Sequence, residues 1–568
     1  MYHVGFARRN GRGHQEHTVL RPSKPLRAWE RTPRARRAAP IGIALVALAT
    51  RAVALDAHTP WFDELLELGR AQLPLAQRLF GRPIDQDPPL YALFLAAWQT
   101  IGSSAGAWWP RLPSALAGTA AVVLAGGWAT RLGGRRVGAM VGLFVALSPV
   151  HVHYAREINQ YAFVALWSVA LMVAWERLRA GNDETTAWLV LGAVSLAALG
   201  THYGMAFPLA VIGLDLGRQA RTTRRWRPWL AWSLALAAAL AVLLALGLGD
   251  RLDIGHVQKR FGGTHLAKEL SYIADVGWRD VLVFTFFPFA GGAALPITRA
   301  LSALAAVGAV ALWRRAPAGR RIVGGWLGGT LALTYLGSLF GLYPLGYRHG
   351  LFNAPVWMLL VAAGIDAVAG WLGKFAGRLD ALVAAAVRWG LAALVVAAFV
   401  AFSPLAWWPN PHLAVPREDL GPVLAAALNR RRPGEGLYVY HGAELAVRFL
   451  QPGLGGDPRF AALDRARAEN GGPAAAARAA AGVVWGRPFD TRDAAAASRE
   501  AARIAAAARP TGRVWTVWTH VHPADRAALV TALLRETALV VDARLRSPGA
   551  LAERYVVAPG DPDGARSP

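Results

Sequence analysis

Ile41-Gly-Ile-Ala-Leu-Val-Ala-Leu-Ala-Thr-Arg-Ala-Val-Ala-Leu55, followed closely by Trp61-Phe62-Asp63-Glu64, sets how the rest of the chain is read. An apolar run of this kind reads as a short membrane span, and two aromatics with two adjacent carboxylates come straight after it. Charges this close to a bilayer are costly unless they face water or a polar cavity, so they mark function more often than chance. The plainer alternative is an interfacial loop, with Trp61 in an aromatic belt and both acids solvated. On these four residues alone the plainer alternative has more weight. It loses ground only because other polar residues, far along the chain, fall on the same side of the membrane.

The 568-residue chain is 54% hydrophobic and carries repeated apolar runs of roughly 15–22 residues, near the length that crosses a hydrocarbon core. A soluble protein of this length would show amphipathic periodicity instead of Ala/Leu/Val runs punctuated by Arg clusters. The composition therefore implies a polytopic α-helical membrane protein with a polar C-terminal domain. The net charge of +25 invites a nucleic-acid reading. The basic residues, however, sit in short clusters between apolar runs, as topology signals do, and no nucleic-acid partner is expected. Cysteine is absent, which excludes disulfides and thiolate metal sites.

Residues 1–40 hold Arg8, Arg9, Arg12, Arg21, Lys24, Arg27, Arg31, Arg34, Arg36 and Arg37 against only Glu16 and Glu30, and read as a disordered cytoplasmic tail. The tail is too long and basic for a signal-peptide n-region. A transmembrane domain spans 41–405. Its first outer loop is 56–109, in which the apolar stretch 88–101 is placed along the interface or as a re-entrant helix. If that stretch crossed, Arg131, Arg135 and Arg136 would all land outside, against the positive-inside rule. Further spans are expected near 110–130, 137–152, 160–176, 187–201, 203–217, 229–248, 295–313, 322–341, 351–372 and 383–405, about eleven with the first. This leaves the N-terminus inside and residues 406–568 outside, as a small extracytoplasmic α/β domain. There Leu437–Tyr440 and Val514–Thr519 read as strands, Asp419–Asn429 and Pro523–Thr537 as helices, and the Ala/Arg-rich 462–508 as helical or partly disordered.

With that topology the informative polar residues gather on the outer side: Asp56, His58, Asp63 and Glu64; Asp85, Gln86 and Asp87; His151, His153, Tyr154, Arg156, Glu157, Asn159, Gln160 and Tyr161; His202 and Tyr203; Tyr343, Tyr347, Arg348 and His349. The inner loops offer little beyond Arg and Gly.

Trp61-Phe62-Asp63-Glu64, Asp85-Gln-Asp-Pro-Pro-Leu-Tyr91, Trp109-Pro-Arg111-Leu-Pro-Ser114 and Ser148-Pro149-Val-His-Val-His-Tyr154-Ala-Arg-Glu157-Ile-Asn-Gln-Tyr161 resemble the motif series of polytopic GT-C glycosyltransferases. More narrowly, they are similar to the bacterial, glycosyltransferase family 39-type members related to protein O-mannosyltransferases and to aminoarabinose transferases of lipid A. The resemblance covers about the first 410 residues and is strongest over 56–165. It implies an all-α GT-C membrane fold and a bacterial plasma (inner) membrane location. The implied activity is transfer of a sugar from a polyprenyl-phosphate donor to an acceptor hydroxyl at the outer face, by inverting displacement.

The resemblance puts the general base on Asp63, with Glu64 as its orienter or as a metal or donor contact. The leaving lipid phosphate needs a cation, and Arg348 and Arg156 are the candidates, while Arg111 reads as holding the end of its helix. Trp61, Asp85, Asp87, Tyr154, Glu157 and Tyr161 complete the expected substrate-binding set. The sequence departs from relatives at Asp87, where His or Lys commonly precedes the Pro-Pro pair, and at Asn159, where Arg is common; Arg156 stands one turn away as a replacement. Asp63, Glu64, Asp85, Asp87, His151 and His153 are also oxygen and nitrogen ligands suited to a divalent ion, but no cofactor is assigned. Expected partners are the lipid-linked donor, membrane lipids and an acceptor that is a glycan, lipid or protein. Two other function classes compete. A transporter or flippase would show charged or broken helices at mid-membrane and an internal repeat, and neither is seen. A non-catalytic relative acting in envelope assembly would show degenerate motifs, as at Asp87 and Asn159.

Overall fold

Ala and Leu are strong helix formers, and the apolar runs are rich in them. The computed structural model describes residues 33–80, 88–102, 107–181, 184–243, 245, 286–287, 294–340, 343, 348, 350–375, 380–402, 418–451, 482–487, 494–521, 523–547 and 549–558. Its helices are α1 (Pro33–Ala52), α2 (Phe62–Gln72), α3 (Leu75–Phe80), α4 (Leu90–Ile101), α5 (Trp108–Gly133), α6 (Arg135–Leu147), α7 (Pro149–Tyr154) and α8 (Tyr161–Arg179). They continue with α9 (Glu184–Thr201), α10 (Ala206–Thr223), α11 (Trp226–Leu243), α12 (Leu295–Arg315), α13 (Thr330–Leu339), α14 (Ala354–Phe375) and α15 (Asp380–Ala401).

Among the described residues six helical stretches are long and apolar enough to cross a membrane: Trp108–Gly133, Tyr161–Arg179, Trp226–Leu243, Leu295–Arg315, Leu351–Lys374 and Ala381–Ala401. Leu189, Leu214, Leu234 and Leu394 are exposed on the bundle, as a hydrocarbon surround allows. Inside, Trp128, Phe144, Trp175 and Trp326 are fully buried in one continuous core.

Two expected spans are modified by local chemistry. The run 137–152 is broken: Ser148 turns extended (ψ 125°) before Pro149, α6 stops at Leu147, and the chain restarts as α7 with Pro149 in its first turn. The run 322–341 begins as a π-helical stretch, Arg321–Gly329, before becoming α13. Helices α12 and α14 approach so closely that a Cβ on Gly308 would lie 1.9 Å from the Leu360 carbonyl oxygen, and one on Gly364 would lie 1.9 Å from that of Leu304. Only glycine fits at such a crossing.

The C-terminal part holds α16 (Leu420–Arg430), β1 (Gly436–Val439), α17 (Glu444–Leu450), β2 (Val483–Trp485), α18 (Ala494–Ala508), β3 (Arg513–Thr519), α19 (Pro523–Glu536), β4 (Leu539–Ser547) and β5 (Ala550–Val557). The sheet order is β2-β1-β3-β5-β4, parallel across β2-β1-β3 and antiparallel across β3-β5-β4. The expected small α/β domain is therefore present, with one correction: β2 lies inside the stretch read as helical or disordered. Of the expected disordered tail 1–40, residues 1–32 lie outside the described residues, and residues 33–40 are corrected to the first turns of α1; residues 462–481 also lie outside the described residues.

This domain does not stand apart from the 56–109 segment. Leu65, Leu68 and Ala71 of α2 and Tyr91 and Leu95 of α4 share one apolar core with Leu420, Val423, Leu445 and Val447. The segment that carries Asp63 is thus packed against helices α16 and α17 of the C-terminal domain.

Candidate active site

Trp61 is the N-cap of α2, with an extended backbone (φ −87°, ψ 178°), and its N–H donates to Glu64 Oε2 at 3.2 Å. This is the return half of a capping box, in which the acid three residues into the helix satisfies an otherwise orphaned amide. The rest of the Glu64 carboxylate is also occupied. Arg111 Nε donates to Oε1 and Arg111 Nη2 to Oε2, both at 2.7 Å, and the Ile158 N–H donates to Oε1 at 2.9 Å. Arg111 Nη1 donates to the carbonyls of Leu55 at 2.6 Å and His58 at 3.0 Å. Glu64 and Arg111 are each 1% exposed, so this pair fastens α2, α5 and the 155–160 segment together out of reach of solvent.

Successive residues on a helix point about 100° apart. With Glu64 turned into that pair, Asp63 faces elsewhere and is ion-paired with Arg348 through Arg348 Nη1 and Asp63 Oδ2. Their side chains are 18% and 34% exposed, which makes this pair reachable where the neighbouring one is not. The Arg348 guanidinium carbon lies 5.8 Å from the centroid of the Tyr161 ring. Tyr161 lies 4.9 Å from Tyr154 and 5.5 Å from His202, and His202 lies 6.4 Å from Tyr343. Burial opposes the charge on Arg348, but Tyr161, Asp63 and Tyr154 outweigh it and hold its pKa above the ordinary arginine value. The result is a carboxylate and a guanidinium side by side, backed by aromatic rings, with residues brought together from four distant parts of the chain.

The remaining expected residues are placed as follows. Arg156 is buried and donates to the carbonyls of Thr50 (3.3 Å), Arg51 (3.2 Å), Val53 (2.6 Å) and Ala54 (2.9 Å), where it closes the C-terminus of α1. Glu157 pairs with His153 at 2.9 Å, and the Asn159 carbonyl accepts from Ser114 Oγ at 3.2 Å. Trp61 is half-buried, and its indole N–H has no hydrogen-bond partner among the described residues. Asp85 and Asp87 lie outside the described residues, as do Tyr347 and His349. Among the described residues no three His, Asp or Glu side chains converge in a way that could hold a metal ion.

Sequence reasoning did not find the contribution of the C-terminal domain. Glu418 Oε2 accepts from the Phe62 N–H at 3.1 Å, and Glu418 Oε1 lies 2.6 Å from His520 Nδ1. The His520 and Phe62 rings stack at 4.0 Å and 7°. Beside them Asp419 Oδ1 accepts from the Thr59 N–H at 3.2 Å, and Thr59 Oγ1 accepts from the Gly421 N–H at 3.2 Å. Burial disfavours a charged His520, yet the hydrogen bond and charge of Glu418, with the charge of Asp63, raise its pKa above the usual imidazole value. Burial likewise works against the charge on Asp419, but bonds from His58 and Thr59 lower its pKa below the aspartate norm. The only sequence signal was an acidic pair just before a helix, which reads equally well as a cap.

No protein-family model and no curated protein matches the chain. Among solved structures it is similar to ArnT from Cupriavidus metallidurans, at 14% identity and a TM-score of 0.48, over 92% of this chain and 98% of that one; ArnT has also been solved bound to undecaprenyl phosphate. It is similar to the archaeal oligosaccharyltransferase AglB from Archaeoglobus fulgidus, in complex with an inhibitory peptide and a dolichol-phosphate, at 11% identity and a TM-score of 0.44, over 92% of this chain and 74% of that one. It is also similar to the arabinosyltransferase EmbB from Mycobacterium smegmatis, at 16% identity and a TM-score of 0.38, over 68% of this chain and 41% of that one.

Proposed function

We propose that the chain is an integral-membrane glycosyltransferase that moves a sugar from a polyprenyl-phosphate donor to an acceptor hydroxyl at the outer face of the plasma membrane. The observation that carries this reading is the pair of Asp63 and Arg348, reachable from solvent and backed by Tyr154 and Tyr161. The motif resemblance names the first-loop acid as the base, and the geometry supplies what a base and a phosphate site both need.

An Asp63 oxygen accepts the proton of the acceptor hydroxyl as that oxygen bonds to the anomeric carbon from the face opposite the leaving group. The bond from the anomeric carbon to the phosphate oxygen breaks, and its electron pair stays on the lipid phosphate. The planar fork of Arg348 stabilises the charge that develops there. In the ion pair each group satisfies the other. An arriving phosphate competes for Arg348 and leaves the Asp63 carboxylate facing the acceptor, so donor binding readies the base. The motif resemblance adds Trp61, next but one to Asp63, as a sugar contact.

The test is binding of polyprenyl phosphate to purified protein in nanodiscs, with wild type and Arg348→Ala compared. Removing one charge-assisted contact, worth about 1.5–3 kcal/mol, should weaken binding about 10–100-fold. Equal affinity for both proteins would remove Arg348 from the phosphate site.

A further inference from the structure

Among the described residues, the C-terminal sheet reaches α2 through the residue that follows β3. In α/β sheets functional loops collect at the carboxyl ends of parallel strands, and His520 stands at that end of β3. Its backbone is left-handed (φ +49°), a conformation a non-glycine residue keeps only where its surroundings impose it. Those surroundings are tight. A Cβ on Gly442 would lie 2.7 Å from the His520 carbonyl oxygen and 2.9 Å from that of Thr519, so the loop after β1 presses directly against this turn.

What the turn presents is directed at one target. The His520 ring covers the face of Phe62, and Glu418 bridges from His520 Nδ1 to the backbone N–H of Phe62, the residue before Asp63. We propose that His520 is a positioning residue for Asp63: with Glu418 it fixes the first turn of α2, and so fixes the direction of the Asp63 carboxylate towards the acceptor. The proposal rests on the reading of Asp63 as the base. On this account the C-terminal domain completes the active site by clamping its acid-bearing turn, and it does so without touching the reacting atoms.

The experiment uses full-length protein in nanodiscs and compares wild type, His520→Asn and Glu418→Gln, with Arg554→Ala as a control opposite Trp515, towards the other end of β3 from His520. Asparagine tolerates the left-handed backbone, so His520→Asn removes the ring without adding strain. The expected result is a kcat about tenfold lower in both variants, with donor KM and thermal midpoint close to wild type. The double variant should be no worse than either single one, because the two residues act as one unit. Arg554→Ala should match wild type. An unchanged kcat in the folded variants, or a loss that follows only the folded fraction, overturns the proposal. Hydrogen exchange over residues 60–65 gives a readout independent of activity: faster exchange in His520→Asn supports the clamp, and unchanged exchange overturns it. If wild type transfers no sugar, the functional reading fails, and the exchange data alone decide whether His520 orders this turn.

Discussion

Glu64→Gln separates the two adjacent acids. The Glu64 carboxylate accepts from Arg111 twice, from the Ile158 N–H and from the Trp61 N–H, in a site where both charged partners are 1% exposed. Glutamine keeps the shape but removes the charge, and its amide nitrogen turns a donor towards donors. Arg111 would be left as a buried cation without its counter-charge. Removing one member of a buried pair costs about 3–5 kcal/mol, against a typical total stability of about 5–15 kcal/mol. The variant should therefore unfold at a clearly lower temperature than surface variants, which stay within about 0.5 kcal/mol of wild type. Per folded molecule it should still transfer sugar. Replacing both residues together, Glu64→Met with Arg111→Met, should cost less than the sum of the two single changes, because neither charge is then stranded. The assay is thermal unfolding in nanodiscs, with transfer normalised to folded protein. A Glu64→Gln variant that melts like wild type yet no longer transfers would refute this reasoning and return Glu64 to the chemistry.

Arg156→Met removes four hydrogen bonds to the carbonyls that end α1 and should cost at least about 1–3 kcal/mol, while lipid-phosphate binding stays at the wild-type level; lost binding in folded protein would give Arg156 a phosphate role. Gly308→Val should weaken the bundle by at least about 1–3 kcal/mol in thermal unfolding, because a Cβ there meets the Leu360 carbonyl at 1.9 Å; an unshifted midpoint contradicts the close crossing of α12 and α14. The clamp at His520 should depend on pH. Its pKa is raised in the folded protein, so the stability it adds is fully present below the ordinary imidazole value and fades as pH rises through the raised one. Asp419 has the opposite sign: its contribution is present above the ordinary aspartate value and is lost as pH falls through the lowered one. Protection of the Phe62 amide against exchange, corrected for intrinsic rates, should therefore be greater near about pH 6 than near about pH 9. Equal protection would contradict the pairing of His520 with Glu418.

The helices were legible because each apolar run is long, Ala/Leu-rich and bounded by Arg clusters, and helix formation in such runs is a local property. The break at Ser148-Pro149 was legible in principle, since proline cannot continue the hydrogen-bond ladder, but the apolar composition on both sides masked it. The strand Val483–Trp485 was hidden inside an Ala/Arg-rich stretch. It is three residues long and forms only because β1 pairs with it, which no local signal records. The β4–β5 hairpin has a local sequence signal only in Pro548-Gly549, between Leu539–Ser547 and Ala550–Val557; the alternating burial along Leu539–Ser547 comes from the sheet. At the candidate site, Asp63 and Arg348 could each be named from residue type and motif. Their pairing across 285 residues could not, because it depends on how the bundle closes. Arg111 and Arg156 show the reverse difficulty. They look alike in sequence, yet burial commits one to Glu64 and the other to the end of α1.

The most direct test is sugar transfer from a panel of labelled polyprenyl-phosphate sugars by purified wild type and Asp63→Asn, with donor binding measured on both. The account predicts transfer from at least one donor by wild type and a fall of about 10²–10⁴-fold in the variant, with donor binding retained. Equal transfer by both proteins, or donor binding by wild type with no transfer from any donor, would contradict it.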